Sequence, residues 1–231
     1  MAKKTEKNKK RIYLIEDHAI VRESLRVLIE QEPDMEVCGD AGSSAEAFTA
    51  ITALRPDAVV TDISMPGMNG IEFLKHLKTL HPEMAAIVLS MHNESDYAER
   101  ALRAGAVGYV MKMEGAGEII IALRKAFLGE KHISEKIVAS LLHKALGSQG
   151  ATMAGSRSLV EILSDRELEV FEHIGTGKDT NSIAALMGVS PKTVETHRMH
   201  IKEKLQVSSL PELIKQAAVW MNREYSGEGG M

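Results

Sequence analysis

The chain has 231 residues, 44% hydrophobic and 26% charged, a globular composition with length for one large domain or two small ones. Its 28 basic and 32 acidic side chains leave a net charge of −4, so any affinity for nucleic acid must come from a local patch. The single cysteine, Cys38, excludes an intrachain disulfide and a cysteine-rich zinc site, and no apolar run reaches the roughly 18 residues of a membrane span; a cytoplasmic protein without membrane contact is expected.

The chain opens on a Lys-rich polar stretch, residues 1–10, which reads as a solvated tail and not as a secretory signal. Between residues 11 and 129 two periodicities alternate. Short runs rich in β-branched residues predict strands at 12–15, 35–38, 58–60, 86–89 and 107–110. Amphipathic stretches predict helices near 18–31, 44–54, 70–80, 94–104 and 116–129. Successive βα units, with strands apolar on both faces, imply an α/β doubly wound five-stranded parallel sheet. Ligands bind such sheets at the carboxyl ends of the strands. Glu16 and Asp17 end the first strand, Asp62 the third and Ser90 the fourth, and Lys112 follows the fifth.

These side chains therefore converge on one edge. Clustered carboxylates repel, and a hard divalent cation such as Mg²⁺ relieves the repulsion while leaving room for phosphate. An aspartate in that setting can accept a phosphoryl group as an acyl phosphate, with metal and ammonium neutralising the phosphoryl oxygens. Glu16-Asp17, Asp62 within TDISMPGMNG, Ser90 and AGAVGYVMK ending at Lys112 resemble the flavodoxin-like receiver domain of response regulators. The resemblance makes Asp62 the phosphoacceptor. It gives Mg²⁺ to Asp17, Asp62 and the Ser64 carbonyl, with Glu16 acting mainly through water. It makes Ser90 and Lys112 phosphoryl-binding residues and Tyr109 the aromatic that swings inward with the switch. Ser64 and His92, two places after Asp62 and Ser90, would tune hydrolysis. Met113 stands where many receivers have proline, which leaves the geometry of the Lys112–Met113 bond open. The reading requires an Asp62 carboxyl open to solvent beside Asp17 and Lys112.

Residues 130–159 read as a linker with one helix at 134–146 and a Gly-rich part at 147–158. From 160 to 225 every segment is helical. Ser164 and Glu167 have capping-box spacing, and that helix runs to about Gly175. Asp179 caps a short helix through Met187, Gly188 closes it, and Ser190 with Pro191 opens the next, to about Leu205. Ser209 starts a fourth helix that continues to about Trp220. Two helices joined by such a turn make a helix-turn-helix within an all-α four-helix domain. In the 191–205 helix, Val194, Ile201 and Leu205 form an inward stripe, while Lys192, Glu195, Thr196, Met199 and Glu203 face the other way. Thr193, Arg198, Lys202 and Lys204 are candidate phosphate contacts at the rim.

The stretch ILSDRELEVFEHIGTGKDTNSIAALMGVSPKTVETHRMHIKEKL resembles the LuxR-type helix-turn-helix, and with the receiver it is similar to the NarL/FixJ class of response regulators. That resemblance makes Glu195, Thr196 and Met199 base-facing and puts Lys192 and Arg198 near the backbone. It implies a sensor histidine kinase as phosphodonor, double-stranded promoter DNA as ligand, a homodimer on DNA, and no enzyme turnover. Asp179-Thr180-Asn181 stands where the family commonly has Ser-Asn-Lys, which removes one phosphate-binding lysine. Three other readings compete: a regulator with a vestigial receiver, a protein-only interaction module, and a haloacid-dehalogenase-type enzyme. The last lacks its Asp-x-Asp motif, since His18-Ala19 follows Asp17.

Overall fold

The β-branched runs form five strands: β1 (Lys10–Ile15), β2 (Met35–Ala41), β3 (Ala58–Asp62), β4 (Ala85–Ser90) and β5 (Gly108–Met111). They alternate with α1 (Ala19–Glu30), α2 (Ser44–Leu54), α3 (Gly70–Leu80), α4 (Glu94–Arg103) and α5 (Ala116–Phe127). This computed structural model of the chain describes residues 9–91, 94–145 and 162–226. Contacts divide the chain into two units, Met1–Ala145 and Leu146–Met231.

In the first unit the sheet order is β2-β1-β3-β4-β5, and every pair is parallel. This is the doubly wound sheet expected from the alternating periodicity. β3 is buried along its whole length and β4 at all but its first residue, which is why both read as unbroken apolar runs. Ile12, Leu14, Val60, Ile87 and Leu89 form the centre of one core layer beneath α1 and α5. The strand order reverses between β1 and β3, and their carboxyl ends open a crevice there. Helix starts are fixed locally: Ser43 caps α2, and the Asn69 side chain accepts from Glu72 N at 2.9 Å to open α3. Gly70 has no substitute at that start, because a Cβ would lie 2.0 Å from the Asp62 carbonyl oxygen.

The helix expected inside the linker is α6 (Glu135–Ala145), and it packs on α4 within the first unit. His132 just before it joins the sheet edge: Tyr109 N–H donates to His132 O at 3.0 Å, and His132 N–H donates to Val107 O at 2.9 Å. The segment up to residue 145 is thus part of the sheet unit. The Gly-rich segment 147–158 lies outside the described residues, as does His92.

The second unit holds four helices among its described residues: α7 (Asp165–Gly175), α8 (Thr180–Met187), α9 (Pro191–Leu205) and α10 (Leu210–Ser226). The Ser164–Glu167 capping box forms in both directions, and the Asp179 carboxylate accepts from Ser182 N at 2.7 Å. Gly188 closes α8 in the left-handed region at φ 63°, and Ser190 caps α9 with Pro191 in its first turn. Leu168, Phe171, Ile174, Ile183, Met187, Val194, Ile201 and Leu213 are buried between the helices. Phe171 and Trp220 meet with ring centroids 5.7 Å apart.

Candidate functional site

Parallel pairing delivers the acidic side chains to one place. Ile15 pairs with Thr61, Asp62 with Leu89 and Ser90 with Met111, so the residues that follow or end these strands share the crevice edge. Ligand atoms of Glu16, Asp17, His18 and Asp62 all lie within 4.8 Å of one another. Lys112 closes the group, with Nζ 2.8 Å from Asp62 Oδ2 and 2.7 Å from Glu16 Oε2. Asp62 Oδ1 accepts from Ile63 N at 2.7 Å, which fixes the plane of the carboxylate. Burial, and then the Asp62 charge, push the Glu16 carboxyl above its ordinary range; Lys112 opposes them without cancelling them. Burial alone would lower the Lys112 ammonium, but the neighbouring Asp62 and Glu16 carboxylates outweigh it and hold the group above its usual value.

The donor set suits a hard cation. Glu16 Oε2 and Asp17 Oδ1 are buried oxygens without a well-angled hydrogen bond, although Lys112 Nζ and His18 Nδ1 stand within ion-pair distance of them. Clustered carboxylate oxygens are the ligands Mg²⁺ prefers. His18, which sequence reasoning did not place in the site, lies 2.7 Å from Asp17 Oδ1 and 3.2 Å from Glu16 Oε1. Its only sequence signal is its place directly after the acid pair. Ser64 is half-buried in the loop after β3.

One expectation about this crevice needs correction. Asp62 is 4% exposed, not open, with the Lys112 ammonium over Oδ2 and shared between two carboxylates. Glu16 Oε2 stands at ion-pair distance from the same ammonium, 2.7 Å from Lys112 Nζ. Ser90 and Tyr109 are both fully buried, and Tyr109 lies opposite Val88 in the sheet. The Lys112–Met113 bond is trans.

On α9 the expected outward face is outward: Lys192, Glu195, Thr196, Met199 and Glu203 are exposed. Thr196 turns its hydroxyl back onto Lys192 O at 3.0 Å, leaving its methyl to a ligand. Thr193 is half-buried, its hydroxyl 2.8 Å from Ser190 Oγ, and Lys202 is half-buried. The assignment of Arg198 to the rim is corrected. Arg198 is 9% exposed, and its guanidinium bonds the Thr180 hydroxyl and Glu195 Oε1. It lies four residues after Val194 and three before Ile201, which is the inward stripe. Lys204 is also occupied, pairing with Glu167 Oε2 at 2.5 Å.

Comparison with known proteins agrees with both halves. Residues 12–124 match the family model for the response regulator receiver domain, and residues 161–217 that for bacterial regulatory proteins of the luxR family. The oxygen regulatory protein NreC of Staphylococcus epidermidis is 34% identical over 209 residues, covering 90% of this chain and 96% of its own. The chain belongs to the response regulators. Its receiver and LuxR-type domain place it in the NarL/FixJ class, as a phosphorylation-controlled DNA-binding transcription regulator. A LuxR-family two-component response regulator from an Aurantimonas species has a TM-score of 0.56 at 33% identity, covering 60% of this chain and 99% of its own. The response regulator RcsB of Salmonella typhimurium reaches a TM-score of 0.65 at 25% identity, covering 92% of this chain and 98% of its own. RcsB has also been solved in complex with DNA (TM-score 0.55, 26% identity, 91% and 98% covered) and as two dimers bound to two parallel DNAs. Among the described residues, no helix is long and apolar enough to cross a membrane.

Proposed function

We propose that this response regulator is switched by phosphorylation of Asp62, with a sensor histidine kinase as donor. The observation that carries the reading is the Lys112 ammonium set 2.8 Å from Asp62 Oδ2 inside a three-carboxylate cluster at the sheet's switch point. Asp62 Oδ attacks the phosphorus of the donor phosphoimidazole. The P–N bond breaks, and the leaving imidazole takes a proton from solvent. Lys112 and the Ser90 hydroxyl hold the phosphoryl oxygens as charge shifts onto them. Asp17, Asp62 and the Ser64 carbonyl would ligate Mg²⁺, with Glu16 in support. When bound, Mg²⁺ supplies charge neutralisation between the carboxylates and the phosphoryl group.

Phosphorylation gives Lys112 a new anionic partner and so biases the packing around Tyr109 on β5. In the second unit α9 enters the major groove. Glu195, Thr196 and Met199 face base edges, and Lys192, Thr193 and Lys202 contact phosphates. A homodimer on paired half-sites of promoter DNA supplies the affinity one unit lacks, in line with the RcsB dimers on DNA. The functional domains are residues 11–129 and 160–225, and the protein acts in the cytoplasm without catalytic turnover of its own. The test is labelling by a small acyl phosphate. Mg²⁺-dependent, hydroxylamine-labile label should appear on the parent chain and not on Asp62→Asn; equal labelling of both would overturn the assignment.

A further inference from the structure

Glu195 on α9 is not a free surface carboxylate. The Thr180 hydroxyl, on the first residue of α8, donates to Glu195 Oε1 at 2.6 Å. The same hydroxyl accepts from Arg198 Nη1, and that nitrogen also lies 3.2 Å from Glu195 Oε1. The Arg198 side chain is 11% exposed and Glu195 59%, so a buried cation anchors an exposed anion through one hydroxyl.

We propose that Thr180 is a positioning residue that, with Arg198, presents Glu195 as a reader of cytosine in the major groove. The inference rests on the DNA-binding reading above and adds the base and the residue that aims the carboxylate at it. Both protein bonds fall on Oε1, so the lone pairs of Oε2 remain available to a donor. An ionised carboxylate only accepts hydrogen bonds. Its bond from Thr180, and then Arg198, hold the Glu195 carboxyl below the usual range, so it is ionised at neutral pH. The major groove offers two amino donors, cytosine N4 and adenine N6. Adenine sets N7, an acceptor, beside its donor, and that lone pair repels a carboxylate; cytosine does not. Fixing the rotamer in advance and pairing the charge with Arg198 also reduce the ordering and phosphate-repulsion penalties that a loose glutamate would meet.

The test selects full-length protein, with a small acyl phosphate and Mg²⁺, on randomised duplexes. The parent should enrich C·G at one position in each half-site. Glu195→Gln should move that preference toward A·T, since an amide matches adenine N6 and N7. Thr180→Val should reduce the cytosine preference about five- to tenfold, a loss within the range of one base contact, while Thr180→Ser keeps it. Should Glu195→Gln leave the selected base unchanged, or Thr180→Val weaken all duplexes alike, the trio is a structural bracket and the inference fails. Recovery of no duplex by the parent would instead remove the DNA-binding reading and this inference with it.

Discussion

Lys112→Met tests whether one ammonium holds the acidic crevice together. Glu16 and Asp62 oxygens lie within 4.8 Å of each other, both nearly fully buried. Two unit charges at that distance repel by about 3.5 kcal/mol at an effective dielectric constant near 20. Protonating Glu16 would relieve the repulsion, at a cost of about 3.7 kcal/mol at about pH 7 from an ordinary glutamate value, so neither escape is cheap. The variant should lose about 3 kcal/mol, which lowers the melting temperature of the first unit by about 6–12 °C. Mg²⁺ should restore the variant more than it stabilises the parent, because in the parent it competes with Lys112 for the same oxygens. Burial and Asp62 raise the Glu16 carboxyl, so the stability linked to its proton is present at low pH and is lost as pH rises through the folded value. Lys112 is the group that lowers the Glu16 carboxyl, so the variant gains more than the parent from about pH 7 to about pH 5 and the gap between them should narrow. Calorimetry with and without Mg²⁺ decides the matter. Equal melting of both chains without Mg²⁺, or an equal Mg²⁺ response, would refute the reasoning.

Gly70→Ala drives a methyl into the Asp62 carbonyl, so denaturant unfolding should show a loss of about 1–3 kcal/mol, and phosphoryl labelling of Asp62 should slow. Glu167→Gln removes the charge that pairs with Lys204, while the amide oxygen can still accept from Ser164 N, and should destabilise the second unit by about 1 kcal/mol in thermal melts. Burial would raise the Glu167 carboxyl, but Lys204 and Ser164 outweigh it and lower the value; its contribution is full above the ordinary carboxylate range and lost as pH falls through the folded value. The deficit of Glu167→Gln should accordingly vanish in acid. Lys192→Ala should weaken binding to all duplexes and reduce the slope of log affinity against log salt by about 0.9, measured by titration at several salt concentrations. Arg198→Ala should leave that slope nearly unchanged and instead lower the melting temperature, since its guanidinium is buried against Thr180 and Glu195.

Sequence periodicity located α2 and α3 to the residue, because capping side chains at Ser43 and Asn69 and the β-rich runs around them leave little freedom at the boundaries. The convergence of Glu16, Asp17, Asp62 and Lys112 followed from strand ends sharing an edge, which parallel pairing imposes whatever the loops do. What the pattern did not give was how the charges pair. Lys112 lies over Asp62 because two nearby carboxylates need one cation, a three-dimensional balance with no local spacing. Arg198 was assigned to the rim, although its spacing from Val194 and Ile201 placed it inward; a buried guanidinium is admissible here because Thr180 and Glu195 accept from its Nη1. The attachment of His132 to the β5 edge rests on backbone hydrogen bonds that no side-chain pattern announces, and the packing of α6 on α4 follows that attachment along the chain.

The most direct measurement is the affinity of the parent and of Asp62→Asn for one promoter duplex at fixed salt, each with and without a small acyl phosphate and Mg²⁺. The phosphodonor should tighten binding by the parent about tenfold, within the usual range of such couplings, and leave Asp62→Asn unchanged. Equal enhancement in both proteins would show that DNA binding is not controlled through Asp62.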